Sequence, residues 1–185
     1  MKKILGLDIS SATIGWALLE ASDSYVELSC YGAIKPPKST SGSLAYRANE
    51  AGKAVSDLIE EKSPEIVVIE SYANKFPSGR STARTIIVLS VFNETIAISA
   101  LNKLGKDPER MAVVTIRSQL SKFCGKKISS KEECFDFICS SFSSFKKRKN
   151  KAGNMAKEVY DEADAIAVAF AFLVKGSKDK IIIGS

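Results

Sequence analysis

Histidine is absent from all 185 residues. That excludes histidine-based acid–base chemistry, Ser-His triads and histidine-ligated zinc. It leaves carboxylates, lysines and metals to carry any chemistry. Cysteine is sparse: Cys30, Cys124, Cys134 and Cys139 form no C-x-x-C pair and lack the density of a disulfide scaffold, so they read as reduced thiols. No uninterrupted apolar run approaches transmembrane length. The N-terminus, Met1-Lys2-Lys3-Ile4, starts like a signal peptide, but Asp8 cuts the apolar run after four residues, so the segment reads as a first strand. A cytoplasmic protein with no membrane partner is expected. No repeat or linker divides the chain, so residues 1–185 read as a single domain. With 45% hydrophobic and 26% charged residues, a chain of this length can bury a core without staples.

What the chain does have is four carboxylates in three separated places. Asp8 ends the run Ile4-Leu5-Gly6-Leu7, and Glu70 ends Ile66-Val67-Val68-Ile69. Asp161 and Asp164 stand three apart, ahead of an alanine-rich apolar helix over 165–174. Positions three apart on a helix share a face, and Asp161, Asp164, Val168 and Phe172 form one stripe. If the two strands are neighbours and the helix crosses them, four negative charges meet in one pocket. Such a cluster is costly unless divalent metal neutralises it, and metal-dependent phosphodiester chemistry is the reading that follows.

Net charge is +6, and the positive charge is clustered. Lys146-Lys147-Arg148-Lys149, with Lys151 and Lys157, forms a dense block, read as a flexible loop that touches phosphates. Lys122, Lys126, Lys127 and Lys131 form a looser group, and Arg80 and Arg84 follow Pro77-Ser78-Gly79. An acidic pocket on a basic surface is the layout expected when a polyanion must be brought to bound metal.

Periodicity and turn residues predict strands over 3–9, 13–20 and 25–34, a helix over 43–62, and a strand over 65–69. A long helix over 80–104, ended by Gly105, is followed by a strand over 112–116. Further helices are predicted over 117–124, 129–143 (Ser129 or Ser130 as N-cap) and 158–175. The tail beyond 178 is left unassigned. Three antiparallel strands, then two parallel strands alternating with helices, imply a five-stranded mixed sheet with helices on both faces, the ribonuclease H-like order. In the long helix Ile86, Ile87, Val88, Leu89, Val91, Phe92, Ile96, Ile98 and Leu101 spread around the circumference. Either the helices of 117–143 cover it, or it forms a two-fold interface.

Here the chain resembles the RuvC family of Holliday-junction resolvases over residues 3–174. Gly6-Leu7-Asp8-Ile9-Ser10-Ser11-Ala12-Thr13-Ile14-Gly15-Trp16 resembles the family's first-strand signature. Val68-Ile69-Glu70-Ser71 resembles its second motif, and Asp161-Glu162-Ala163-Asp164-Ala165-Ile166-Ala167 its third. The resemblance implies a Mg²⁺-dependent endodeoxyribonuclease that resolves four-way and related branched DNA by paired nicks. It implies Asp8, Glu70, Asp161 and Asp164 as catalytic metal ligands for two Mg²⁺ ions, with Mn²⁺ as a substitute. Lys131 falls where the family places a basic residue near DNA, and Arg117 serves a similar role. A homodimer through the helix near 80–104 follows, since a symmetric junction needs two sites.

Two departures mark a divergent, phage-type member, which would act in the host cytoplasm. Ile9-Ser10 stands where the family often has Pro-Gly, and the aromatic wedge expected soon after the Glu has only Tyr72 and Phe76 as candidates. These two rings with Arg80, Arg84, Arg117, Lys131, Lys146, Lys147, Arg148 and Lys149 make up the expected DNA-binding set. The alternatives are a YqgF-like RNA-processing or flap nuclease and a non-catalytic branched-DNA-binding module. The first motif alone also fits sugar-kinase and actin-type ATPases, but the chain is too short for their duplicated fold.

Overall fold

The computed structural model describes residues 1–71, 83–177 and 181–184. Strands β1 (Lys2–Ile9), β2 (Ile14–Ala21) and β3 (Tyr25–Ile34) form an antiparallel meander. Helix α1 (Leu44–Lys62) leads to β4 (Ile66–Ser71), and α2 (Ala83–Leu104) leads to β5 (Glu109–Ala112). Helices α3 (Val113–Cys124), α4 (Lys131–Ser141) and α5 (Lys157–Gly176) follow, and β6 (Ile182–Ile183) ends the described chain. The sheet order is β5-β4-β1-β2-β3-β6. Four of the five expected strands lie where expected, with β4 parallel beside β1; the fifth is displaced to Glu109–Ala112 and pairs in parallel with β4. The tail left unassigned supplies a sixth, paired in parallel with β3.

β1 is central, and its pleat divides the protein. Ile4 faces the core beneath α3, α4 and α5, whereas Leu5, Leu7 and Ile9 face the core beneath α1 and α2. The same two-residue alternation puts Val68 of β4 on the α5 side and Val67 and Ile69 on the other. By that period, Asp8 and Glu70 both point to the α5 side. The parallel register pairs Leu7 with Ile69, so the two acids leave the same end of adjacent strands.

Two glycines let α5 lie directly on the meander. A β-carbon at Gly6 would stand 2.2 Å from the Ala165 carbonyl oxygen, and one at Gly15 would stand 2.0 Å from that of Asp161. Asp161, Ala165 and Ala169 therefore mark the line of closest approach, one helical turn apart. Asp164 lies one residue round from that line and faces the sheet end.

Two features differ from the sequence expectation. The fifth strand ends at Ala112, and Val113-Val114-Thr115-Ile116 opens α3 instead of continuing the strand. The β-branched run reads locally as strand, and Ala112 offers no side-chain cap to announce a helix. Burial of Ile116 and Leu120, four apart, against the α5 side decides the matter. In addition, α2 does not lie under α3 and α4. It packs on α1 across the opposite face, through Phe92, Ile96, Ala97 and Ala100. Among the described residues α2 is long and apolar enough, by length and composition, to cross a membrane. Ser90, Asn93, Glu94, Thr95 and Ser99 divide it into short apolar runs, so no uninterrupted run in it is long.

Candidate active site

Asp8 ends the central strand, Glu70 stands beside it on β4, and Asp161 and Asp164 occupy the first turns of α5. Asp8, Glu70 and Asp164 line one cavity of about 160 Å³ with Val113, Ile116, Arg117, Lys131, Cys134 and Ala167. Asp161 is not among the lining residues, but its charge acts on Asp8. Three of the four expected acids thus share one cavity, with the fourth in electrostatic reach.

Their electrostatics are those of crowded, half-buried anions. Burial, then the charges of Glu70, Asp164 and Asp161, holds the Asp8 carboxyl well above the usual carboxylate range, with Lys131 opposing. Burial and the Asp164 charge push Glu70 up to about 7, against Lys131 and Arg117. Asp164 is raised by burial, although Lys131 and Arg117 pull it down. Asp161 is raised by burial and by Asp164, and lowered by Lys131 and by a hydrogen bond from the Thr13 side chain.

Lys131 is the cation around which this cluster is arranged. Its Nζ lies 2.6 Å from Asp164 Oδ2, and its charge acts on Asp8 and Asp161 as well. A capping box aims it there. The Ser130 hydroxyl accepts from the Glu133 backbone N–H at 3.1 Å, and Glu133 Oε2 accepts from the N–H of Ser130 at 3.0 Å and of Ser129 at 2.6 Å. Of the two candidate caps, Ser130 is the one used, and Lys131 becomes the first residue of α4. Arg117, on α3, donates to the Ser129 carbonyl at 2.9 Å and ties α3 to the same loop.

Among the described residues, no three acidic, cysteine or histidine side chains converge closely enough to form a ready metal cage. Like charges at a half-buried site stand apart until a cation draws them together, and here an ammonium supplies that charge at Asp164. The donors are all hard oxygens, which suits Mg²⁺ or Mn²⁺ in preference to softer metals. In chemistry the set fits such an ion; in arrangement it is an open cluster.

The expected DNA contacts divide. Lys131 and Arg117 line the cavity, and Arg84 is exposed in the first turn of α2. Tyr72, Phe76 and Arg80 lie outside the described residues. The basic block is a closed hairpin, not a free loop. Lys149 pairs antiparallel with Met155, and the Ala156 N–H donates to the Arg148 carbonyl at 2.9 Å. Arg148 is engaged internally with Glu162 at 2.5 Å, Lys147 lies over the Phe135 ring at 5.4 Å, and Lys146 Nζ donates to the Ser143 carbonyl at 2.9 Å.

Sequence reasoning missed three residues. Thr13, three residues before Trp16 in the first motif, stands close enough to Asp161 to pull its carboxyl down. Cys134 lines the cavity, and burial with the charges of Asp164 and Glu70 pushes its thiol up to about 12; its place three residues after Lys131 on a capped helix was the available signal. Glu162 sits inside the third motif with no role of its own there, and it is buried.

No family model and no curated protein matches the sequence. Solved structures do match in fold. RuvC of Thermus thermophilus in complex with a Holliday junction substrate aligns with a TM-score of 0.68 at 14% identity, over 94% of each chain. Another Thermus thermophilus RuvC structure aligns at 0.69 and 15% identity, over 93% of each. The yeast mitochondrial Holliday junction resolvase Ydc2 aligns at 0.63 and 13% identity, over 94% of this chain and 78% of that one. The fold is therefore the ribonuclease H-like fold of the RuvC-type resolvases, as the sequence motifs led us to expect.

Proposed function

We propose that this protein is a metal-dependent endonuclease that cuts branched DNA, four-way junctions foremost, by paired nicks from a homodimer. The observation that carries the reading is the gathering of Asp8, Glu70 and Asp164 around one cavity, with Asp161 in electrostatic reach, in a fold shared with resolvases, one of them solved on a Holliday junction. Two Mg²⁺ ions held by these four acids would supply an activated water and neutralise the scissile phosphate. The chain's own residues provide the rest. Lys131 and Arg117 put positive charge on the cavity wall, where a phosphate entering beside four carboxylates needs it. Ile116 and Ala167, both buried, back the cavity with apolar surface, which lowers the local dielectric and strengthens each charge interaction inside it.

The test is a side-by-side assay on synthetic four-way junctions, flaps, linear duplexes and structured RNA with Mg²⁺, with Mn²⁺ or with chelator. Symmetric nicks on the four-way junction that vanish in chelator are the expected result. Preferential cleavage of RNA, or no cleavage of any substrate, would overturn the reading.

A further inference from the structure

We infer that Arg148 and Glu162 form a latch that holds a prefolded basic arm, residues 146–156, in fixed register with the acid-bearing helix, so that a DNA backbone held on the arm is aligned with the cluster. The inference rests on the nuclease reading above for its partner, and on the structure alone for the latch.

Glu162 lies between Asp161 and Asp164 in sequence but turns away from their cavity. Its side chain is 3% exposed, a burial that a carboxylate tolerates only when paired and hydrogen-bonded. The Arg148 guanidinium provides that partner, with Nη2 within 2.5 Å of Oε1 and Oε2. It lies over the Tyr31 ring at 5.7 Å. The Tyr31 hydroxyl in turn accepts the Lys146 backbone N–H at 3.0 Å, and its ring meets Phe145 edge-on at 5.0 Å. The root of the arm is thus fastened to both α5 and β3.

Beyond the root the arm is folded. The Asn150 N–H donates to the Asn154 carbonyl at 2.7 Å, and the Asn150 side chain accepts from the N–H of Ala152 and of Asn154. Gly153, with φ of +81°, turns the chain back. Lys149 and Lys151 remain exposed. The division of labour follows: Arg148 spends its charge on Glu162, and the lysines beyond it meet phosphate. Arm and acids hang from one helix, so a phosphate held at Lys149 or Lys151 has a set distance from Asp161 and Asp164. Arg148 and Glu162 are positioning residues.

Two readouts test this. Hydrogen exchange on the free protein should show the amides of Asn150, Gly153 and Ala156 protected in wild type. Exchange there should be at least tenfold faster in Arg148→Met and in Glu162→Gln, while β1 amides are unchanged. Arg148→Lys should restore part of the protection. The double variant Arg148→Met/Glu162→Met, which leaves no charge buried, guards against a Glu162→Gln protein that does not fold. On junction DNA, Lys149→Met/Lys151→Met should flatten the log–log salt dependence of affinity by about 0.9 per lost contact. Arg148→Met should leave that slope alone and instead spread the cleavage over neighbouring phosphates. Arm protection that survives loss of the pair, or a slope that falls with Arg148→Met as it does with the lysines, would overturn the latch. A protected arm on a protein that binds no DNA would overturn the nuclease reading and the arm's phosphate role together.

Discussion

Gly15 faces Asp161 with no room for a side chain: a β-carbon at residue 15 would lie 2.0 Å from the Asp161 carbonyl oxygen. Gly15 is also the cross-strand partner of Asp8. Gly15 on β2, together with Gly6 on the strand that carries the first acid, therefore sets how near α5 comes to the sheet. Gly15→Ala should push the start of α5 off the sheet and cut cleavage by about a hundredfold or more, as angstrom-scale misplacement does. Thr13→Val, which removes only a hydroxyl near Asp161, should cost less, roughly tenfold. Steady-state kinetics on a junction substrate, with melting curves to confirm folding, check the order of the two effects.

Asp8→Asn, Glu70→Gln, Asp161→Asn and Asp164→Asn should each abolish or severely reduce Mg²⁺-dependent cleavage. Branched DNA should bind as well or more tightly, since each change relieves repulsion between carboxylate and phosphate. Gel-shift titration in chelator, set beside cleavage in Mg²⁺, separates the two effects. Near wild-type cleavage by Asp8→Asn would remove the metal assignment.

The raised carboxyls also fix a pH dependence of stability. Glu70 sits at about 7, and Asp8, Asp161 and Asp164 are displaced upward as well. The folded chain then keeps protons that the unfolded chain releases, so these groups favour folding most below about pH 4, and their contribution is lost as pH rises toward 7. Glu60, Glu133 and Glu158 are shifted down, and the stability they add is complete by about pH 5. Between pH 5 and 8, in chelator, Tm should therefore fall, with Glu70 alone accounting for on the order of 2–3 kcal/mol. Mg²⁺ should reverse the fall, and Glu70→Gln should flatten it. A metal-free Tm that is level over this window would show that the acids do not crowd as described.

The four acids were legible because each sits where a periodic pattern stops: Asp8 and Glu70 at the ends of buried runs, Asp161 and Asp164 at the head of an apolar helix. The strand order followed from the meander and the crossover rule, and β1 is central as that rule requires. The role of Glu162 was not legible. Its partner, Arg148, lies 14 residues away on a hairpin closed by backbone hydrogen bonds, and no local pattern tells a buried carboxylate from a solvated one on the same helix. The start of α3 was hidden for a related reason: tertiary burial of Ile116 and Leu120 outweighs the strand propensity of a β-branched run. The placement of α2 required knowing which face of the sheet each helix covers, which apolar content does not encode.

The outer stripe of α2 bears on assembly. Phe92, Ile96, Ala97 and Ala100 are consumed by packing on α1 and the sheet, yet Ile87 is 58% exposed and Ile98 is 56% exposed. They stand 11 residues apart, about three helical turns, with Leu101, also exposed, one turn further on the same stripe. Exposed large apolar side chains along one face, interrupted here by the Glu94–Arg110 ion pair, are a pattern a self-complementary two-fold contact uses. Val91 is the poorer probe, because it packs partly against the core and a charge there would test folding. Ile87→Glu/Ile98→Glu should therefore give a folded monomer with an almost unchanged Tm. That monomer should still bind a four-way junction but nick single strands without pairing the cuts. Sedimentation at micromolar concentration, with and without junction, reads the first outcome. A circular substrate that linearises only when both strands are cut within one binding event reads the second. A wild-type chain that sediments as a monomer in both conditions would exclude the α2 dimer.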